Sequence, residues 1–219
     1  MGSSQSPRGL VLAVDGSCRD QPVILLVDGD GGLRWQGTAG DSRIGLITAV
    51  HEAMVGYRRE IAGVVAVRGP GSYMGVRGGL AAGLGAAQSL GCPISLVASL
   101  EVVASQAEPA TEPVLAIADA GRGGTYGQSL EPAGGGRRWR PSGPAQLLGR
   151  EQSWPDSWAE TGGVVGVPGA GRELPTGAVR LELVRDRAQA LAWIVAAGPG
   201  PIRGYDRVSA DYAEPLGAG

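Results

Sequence analysis

The residues best placed to do chemistry cluster at two turns. Arg68-Gly69-Pro70-Gly71-Ser72-Tyr73-Met74-Gly75-Val76-Arg77-Gly78-Gly79 follows the apolar run Val64 to Val67 and precedes a segment of small residues. A strand passing through a Gly-Pro-Gly turn into a helix leaves backbone N–H groups free at the helix start, a nest suited to an anion or to a tight contact between parts of a protein. A phosphate loop of the Walker type also needs a Lys followed by Ser or Thr, and the chain contains no Lys at all. The second turn, Asp15-Gly16-Ser17, ends the apolar run Leu10 to Val14. A carboxylate there either sits near a metal or phosphate or caps its own turn, and without companion ligands the turn cap is the stronger reading. Asp119 ends a second apolar run, Val114 to Ala118, with Arg122 nearby as an ion-pair partner.

Other chemistries lack their parts. His51 is the single histidine, followed by Glu52, so a paired-histidine metal site cannot be built and a Ser-His-acid triad could draw only on this one imidazole. Ser17 and Ser72 lie in turns outside any G-x-S-x-G elbow. Cys18 and Cys92 are far apart without CxxC spacing, as in a reduced, cytoplasmic protein. No catalytic residue, metal ligand or cofactor is assigned.

Composition narrows the class further. A net charge of −2 over 219 residues offers no polybasic surface for direct, tight nucleic-acid binding. No run of eighteen apolar residues suggests a membrane span, and the polar start lacks the apolar core of a secretory signal. The 39 glycines, with Lys, Asn and Phe all absent, read as a coding bias.

The elements that position these turns follow from periodicity. Leu10 to Val14, Pro22 to Val27 and Leu33 to Gly37 read as a β-meander around the Asp28 to Gly32 turn cluster. Ser42 caps a helix running through Tyr57, with Ile44, Ile47, Val50, Met54 and Val55 at helical spacing. A strand, Ile61 to Val67, leads into a second helix from Tyr73 to Leu90. Its Gly75, Gly78, Gly79, Ala82, Gly83 and Ala86 form a broad face nearly free of side chains. Each interior glycine costs about 0.5–1 kcal/mol of helix stability, which close approach of another backbone would explain, and a helix is the expected neighbour. A strand from Ile94 and a helix from Ser99 to Ala107 follow, then the linker-like Glu108 to Pro113. Expected beyond it are strands over Val114–Ala118, Gly124–Leu130, Arg137–Arg140 and Val164–Val167. Helices are expected over Pro144–Arg150 and Arg185–Ala197, with a loop-like tail from Gly198. The Gln152 to Glu160 stretch is polar apart from Trp154 and Trp158. This divides the chain into a tail (1–9), an N-terminal half (10–108) and a smaller C-terminal half (109–219).

Four segments, in order, resemble one family. Val11-Leu12-Ala13-Val14-Asp15-Gly16-Ser17 is similar to its opening "LAIDTS", and the Gly-Pro-Gly turn to "GPGSFTGVRIG". Ala98-Ser99-Leu100-Glu101 is similar to "SSLEALA", and Asp119 to Tyr126 to "DARRGEVY". The family is bacterial TsaB, also called YeaZ. The resemblance covers residues 10 to 130. Gly16 and Met74 stand where the family usually has Thr, no His precedes the first helix, and the Tyr-x-Arg end is reduced to Asp211-Tyr212-Ala213-Glu214.

The resemblance implies an α/β protein of the actin/Hsp70/sugar-kinase superfold (ASKHA), two βββαβα halves with the second truncated. It implies a cytoplasmic, non-catalytic subunit that binds and activates the catalytic paralogue TsaD in making N6-threonylcarbamoyladenosine next to the tRNA anticodon. The ATPase TsaE would be a third partner, tRNA would be met only through the complex, and the chain alone would form a homodimer. The partner interface would comprise Ile47, Val50 and Met54 of the first helix with Tyr73, Arg77, Gly78, Gly79, Ala82, Gly83 and Ala86 of the second. A rival is a small nucleotide-binding kinase or ATPase of the same superfold, using Asp15, Ser17 and Asp119.

Overall fold

The computed structural model describes the chain except residues 1–8, 19–21, 38–42, 134–137, 159–160, 203–204 and 216–219. Chain contacts divide it into two units: residues up to Ser99 together with Leu191–Asp211, and Leu100–Ala190 together with the segment from Tyr212. The division therefore falls ahead of the expected linker near 109, because Leu100, Val103 and Ala104 are buried in the second unit's own core.

In the first unit, β1 (Leu10–Asp15), β2 (Val23–Val27), β3 (Leu33–Gly37), β4 (Ile61–Val67) and β5 (Ile94–Val97) form one sheet in the order β3-β2-β1-β4-β5. β1 pairs antiparallel with β2 and parallel with β4, so the meander continues into a parallel crossover. Every residue of β1 and β2 is buried, as expected of strands covered on both faces, whereas β3 at the edge exposes Leu33, Arg34 and Gln36. α1 (Arg43–Tyr57) and α2 (Tyr73–Leu90) lie against each other, and α2 also lies on β1 and β4. Their shared core with the sheet includes Leu12, Val14, Leu46, Ala53, Ala66, Val76 and Leu80. The Ser42 cap expected for α1 lies outside the described residues.

α2 is bounded at both ends by its own sequence. Ser72 accepts from the Gly75 N–H at 3.4 Å as N-cap. At the other end Gly91 takes φ 63° and donates to Gln88 O, while Cys92 N–H donates to Ala87 O, the paired bonds of a Schellman motif. From the far end of the chain, α4 (Arg187–Ala196) brings Ala192 and Ala196 against the β2–β3 turn at Gly31.

In the second unit, α3 (Ser99–Ala104) precedes β6 (Val114–Gly121), β7 (Gly124–Ala133), β8 (Arg138–Pro141), β9 (Gln146–Leu148), β10 (Val164–Gly166) and β11 (Glu214–Pro215). The sheet order is β10-β6-β7-β9-β11, with β8 also pairing β7. Two expectations are corrected here. The helix expected over Pro144–Arg150 is instead β9, paired antiparallel with Thr125–Gly127. The β7 edge offers this short segment ladder partners, and that pairing decides for a strand. The tail is not wholly loop, since Tyr205–Arg207 forms a 3₁₀ turn and β11 pairs with β9. Trp158, an exception in its polar stretch, is buried over Gly127, which has no side chain to obstruct it.

Candidate functional site

β1 delivers Asp15, wholly buried, to the end of the first sheet. Its Oδ1 accepts from Ser17 N at 2.8 Å and from Ser17 Oγ at 2.6 Å, which bends the chain into an Asx-type turn. The turn-capping reading of Asp15 holds. Ser17 O in turn accepts from Ser72 N at 2.8 Å, so the Asp-Gly-Ser turn is seated on the Gly-Pro-Gly turn.

Glycine makes this seating possible. A Cβ at Gly16 would fall on Gly75 O, one at Gly75 on Gly16 O, and one at Gly71 on Ser17 O. On the other side Ser99 N donates to Gly69 O at 2.8 Å and Ser99 Oγ donates to Pro70 O, across a cis Gly69–Pro70 peptide. Of the two uses read for the nest at the α2 start, the geometry fits the tight contact. The chain's own carbonyl and hydroxyl oxygens take up the Ser72 and Gly75 N–H groups.

The same packing corrects the reading of the small-residue face. Gly79 and Gly83 are buried against their own unit: a Cβ at Gly79 would lie 3.1 Å from Gly16 N, and one at Gly83 3.2 Å from Ala66 Cβ. Ala86 and Val50 are buried too. The close neighbour of α2 is therefore a turn and a strand rather than an external helix, and these four residues are not at the surface.

What α1 and α2 do present is different. Tyr73 is 53% exposed and Met74 45%, with the Arg77 guanidinium 3.9 Å from the Tyr73 ring centroid. Gly78 faces open space, and Met54 and Ala82 are half-buried. On α1, Ile47 and Val55 are 60% and 71% exposed, and His51 and Glu52 are exposed as well. The cation–π stack holds Arg77 on its own helix and lends the Tyr73 ring rigidity. Met74 marks a departure from the family pattern and Val55 is one of the helically spaced apolar positions of α1; neither is among the expected interface residues.

The remaining candidates have local roles of their own. Arg68 is paired with Asp211, Nε to Oδ2 at 2.8 Å. Asp119 Oδ1 accepts from Gly121 N at 2.7 Å, a turn like that at Asp15, but Arg122 is exposed with φ 53° and forms no ion pair with it. In the second unit the buried Glu101 carboxylate accepts from Arg138 Nε at 2.5 Å and Trp139 N at 3.4 Å, tying α3 to β8. Burial pushes the Cys92 thiol above its usual range. Among the described residues no group of three or more His, Cys, Asp or Glu could hold a metal ion, and no helix is long and apolar enough to cross a membrane.

Comparison with known proteins bears on this arrangement. The family model for TsaD, tRNA N6-adenosine threonylcarbamoyltransferase, matches residues 44–136, a segment that holds all of β7. Among solved structures, YeaZ from Pseudomonas aeruginosa superposes with a TM-score of 0.69 at 22% identity, over 93% of this chain and 99% of that one. The chain has the YeaZ fold. A second structure, described as an uncharacterized protein with similarity to peptidase YeaZ from Pseudomonas aeruginosa, gives 0.67 at 20% identity, over 94% and 100%. No curated protein matches the sequence. The two mixed α/β units are thus of the actin/Hsp70/sugar-kinase type.

Proposed function

We propose that the chain is an accessory subunit in the N6-threonylcarbamoyladenosine modification of tRNA, binding and activating a TsaD-like catalytic paralogue. The observation that carries this reading is the surface of α1 and α2. Within the segment matched by the TsaD family model, α1 exposes Ile47 and Val55, and α2 exposes Tyr73 and Met74 with Arg77 stacked on the Tyr73 ring. Large apolar and aromatic side chains next to an arginine are the composition of interface hot spots.

In this reading the chain is no enzyme by itself and needs no cofactor. It stabilises the partner's productive form by binding it. The same face would join two copies when the partner is absent, so homodimer and heterodimer compete for one surface. A TsaE-like ATPase would contact the assembled pair, and tRNA would be met through the complex. At the α2 start Ser17 O and Ser72 Oγ accept the Ser72 and Gly75 N–H groups, so two donors of that turn serve the chain's own packing rather than the nucleotide-binding alternative.

The test is association with the TsaD-like paralogue of the same organism on a sizing column, for the parent chain and Tyr73→Ala. A hot-spot tyrosine carries about 2 kcal/mol, roughly a thirtyfold loss of affinity. Co-elution that Tyr73→Ala weakens by that order supports the reading, and an unaltered elution of both proteins after mixing contradicts it.

A further inference from the structure

The segment after α4 belongs to the first unit and is bound along its outer strand. β5 is the edge of the sheet, and Ser95 Oγ donates to Pro199 O at 2.9 Å while Ile202 N donates to Ile94 O at 2.9 Å. Further on, the Tyr205 hydroxyl donates to Cys92 O at 2.8 Å, at the C-terminal cap of α2. Ile202, Tyr205, Val208 and Ala210 pack on the first unit's core.

The segment ends on the Gly-Pro-Gly turn. Asp211 N donates to Arg68 O at 2.7 Å, its carboxylate pairs with Arg68 Nε at 2.8 Å, and its carbonyl oxygen lies where a Cβ on Gly69 would come within 2.7 Å. Three contacts from one residue thus converge on the two residues that open the turn. Arg68 N is itself bonded to Val97 O, so Arg68 is held from β5 and from the tail at once.

We infer that residues 199–202 and 205–211 act as a strap in which Asp211 is a positioning residue, fixing Arg68 and the lip of the turn from which α2 starts. Its effect on binding rests on the proposed subunit reading, because the partner would meet Tyr73, Met74 and Arg77 immediately beyond that lip. The strap itself does not depend on that reading. Burial of the apolar residues 202, 205, 208 and 210 anchors it, and the Asp211 carboxylate sets the last step. At 38% and 40% exposure the Arg68–Asp211 pair is a partly solvated one, worth a small factor rather than a large one.

The test uses the full chain and three variants, Asp211→Ala, Arg68→Ala and the double substitution, with amide hydrogen exchange resolved by segment. Loss of the carboxylate should speed exchange across residues 68–76 by about two- to fivefold while leaving β1 and β2 unchanged. The double variant should exchange no faster there than the single ones, because both remove the same link. Unchanged exchange in Asp211→Ala, or a rise spread evenly over the first sheet, overturns the strap. Binding to the TsaD-like paralogue is then titrated with the parent and with Asp211→Ala. A matching two- to fivefold loss supports the positioning role, and faster exchange with unaltered affinity overturns that role. If the parent chain itself does not bind, the subunit reading falls, while the exchange result still decides the strap.

Discussion

Two alanine substitutions on one helix should shift stability in opposite directions. Gly85 of α2 has nothing within 4 Å of an added Cβ and a backbone that any residue adopts, so Gly85→Ala should gain the ordinary helix preference of about 0.5–1 kcal/mol. Gly75 sits on the same helix, yet its Cβ would land on Gly16 O and lie 3.3 Å from Ser72 Cβ. The obstructing carbonyl is backbone, held in the Asp15 turn by Ser17 and by the Ser72 bond, and it cannot rotate away as a side-chain end would. Overpacking of this kind costs about 1–3 kcal/mol, and the helix gain returns less than 1, leaving Gly75→Ala destabilised by about 1–2 kcal/mol. The two variants should therefore differ by about 1.5–3 kcal/mol, which for a chain of this size is roughly 3–12 °C in the melting midpoint. Circular dichroism at the helix band, with heating and with urea, reads it directly. A Gly75→Ala protein that melts at or above the parent, or a Gly85→Ala protein that falls as far as Gly75→Ala, would refute the interlocked-turn argument.

Further outcomes follow from the second unit and from Cys92. Arg138→Met strips the buried Glu101 carboxylate of its guanidinium and should cost about 3 kcal/mol, much of it recovered when Glu101→Gln is added, as a urea double-mutant cycle would show. Cys92, buried and with its thiol pushed up, should resist a thiol reagent in the folded protein, while the half-buried Cys18 reacts first. The same raised value has a signed effect on stability. The contribution of Cys92 is fully present below the ordinary thiol range, where both states are protonated, and is lost as pH rises through the folded value. Denaturant midpoints measured on either side of that range should fall on the alkaline side, and Cys92→Ala should flatten the fall.

The first sheet was legible because β1, β2 and β4 are unbroken apolar runs ended by Asp15-Gly16-Ser17 and by the Gly-Pro-Gly turn, local signals that no distant contact overrides. The Asp15 cap was legible for the same reason, its partner being two residues away. The glycine face of α2 shows the limit. A run of small residues reports that some backbone comes close, but only the fold reveals that the backbone is that of Gly16 and that Ala66 faces Gly83. Of the residues expected at a partner interface, Val50, Gly79, Gly83 and Ala86 are therefore buried in the unit's own packing, while Val55 and Met74, outside that set, are exposed. β9 and β11 are short segments whose strand character comes from pairing with β7 and with each other, and nothing within Gln-Leu-Leu or Glu-Pro announces it. The Asp211–Arg68 link joins residues separated in sequence by the whole of Leu100–Ala190 and left no local trace. A single-residue departure from a family ending was all that marked that region.

The central claim is that this chain is required by a partner rather than active alone, and the level of N6-threonylcarbamoyladenosine in tRNA tests it most directly. The measurement is nucleoside mass spectrometry on tRNA incubated with the TsaD-like paralogue and the threonylcarbamoyl donor, with this chain present, absent, or carrying Tyr73→Ala. The account predicts modification that depends on the parent chain and is sharply reduced with Tyr73→Ala. Modification that proceeds equally well without the chain would contradict it.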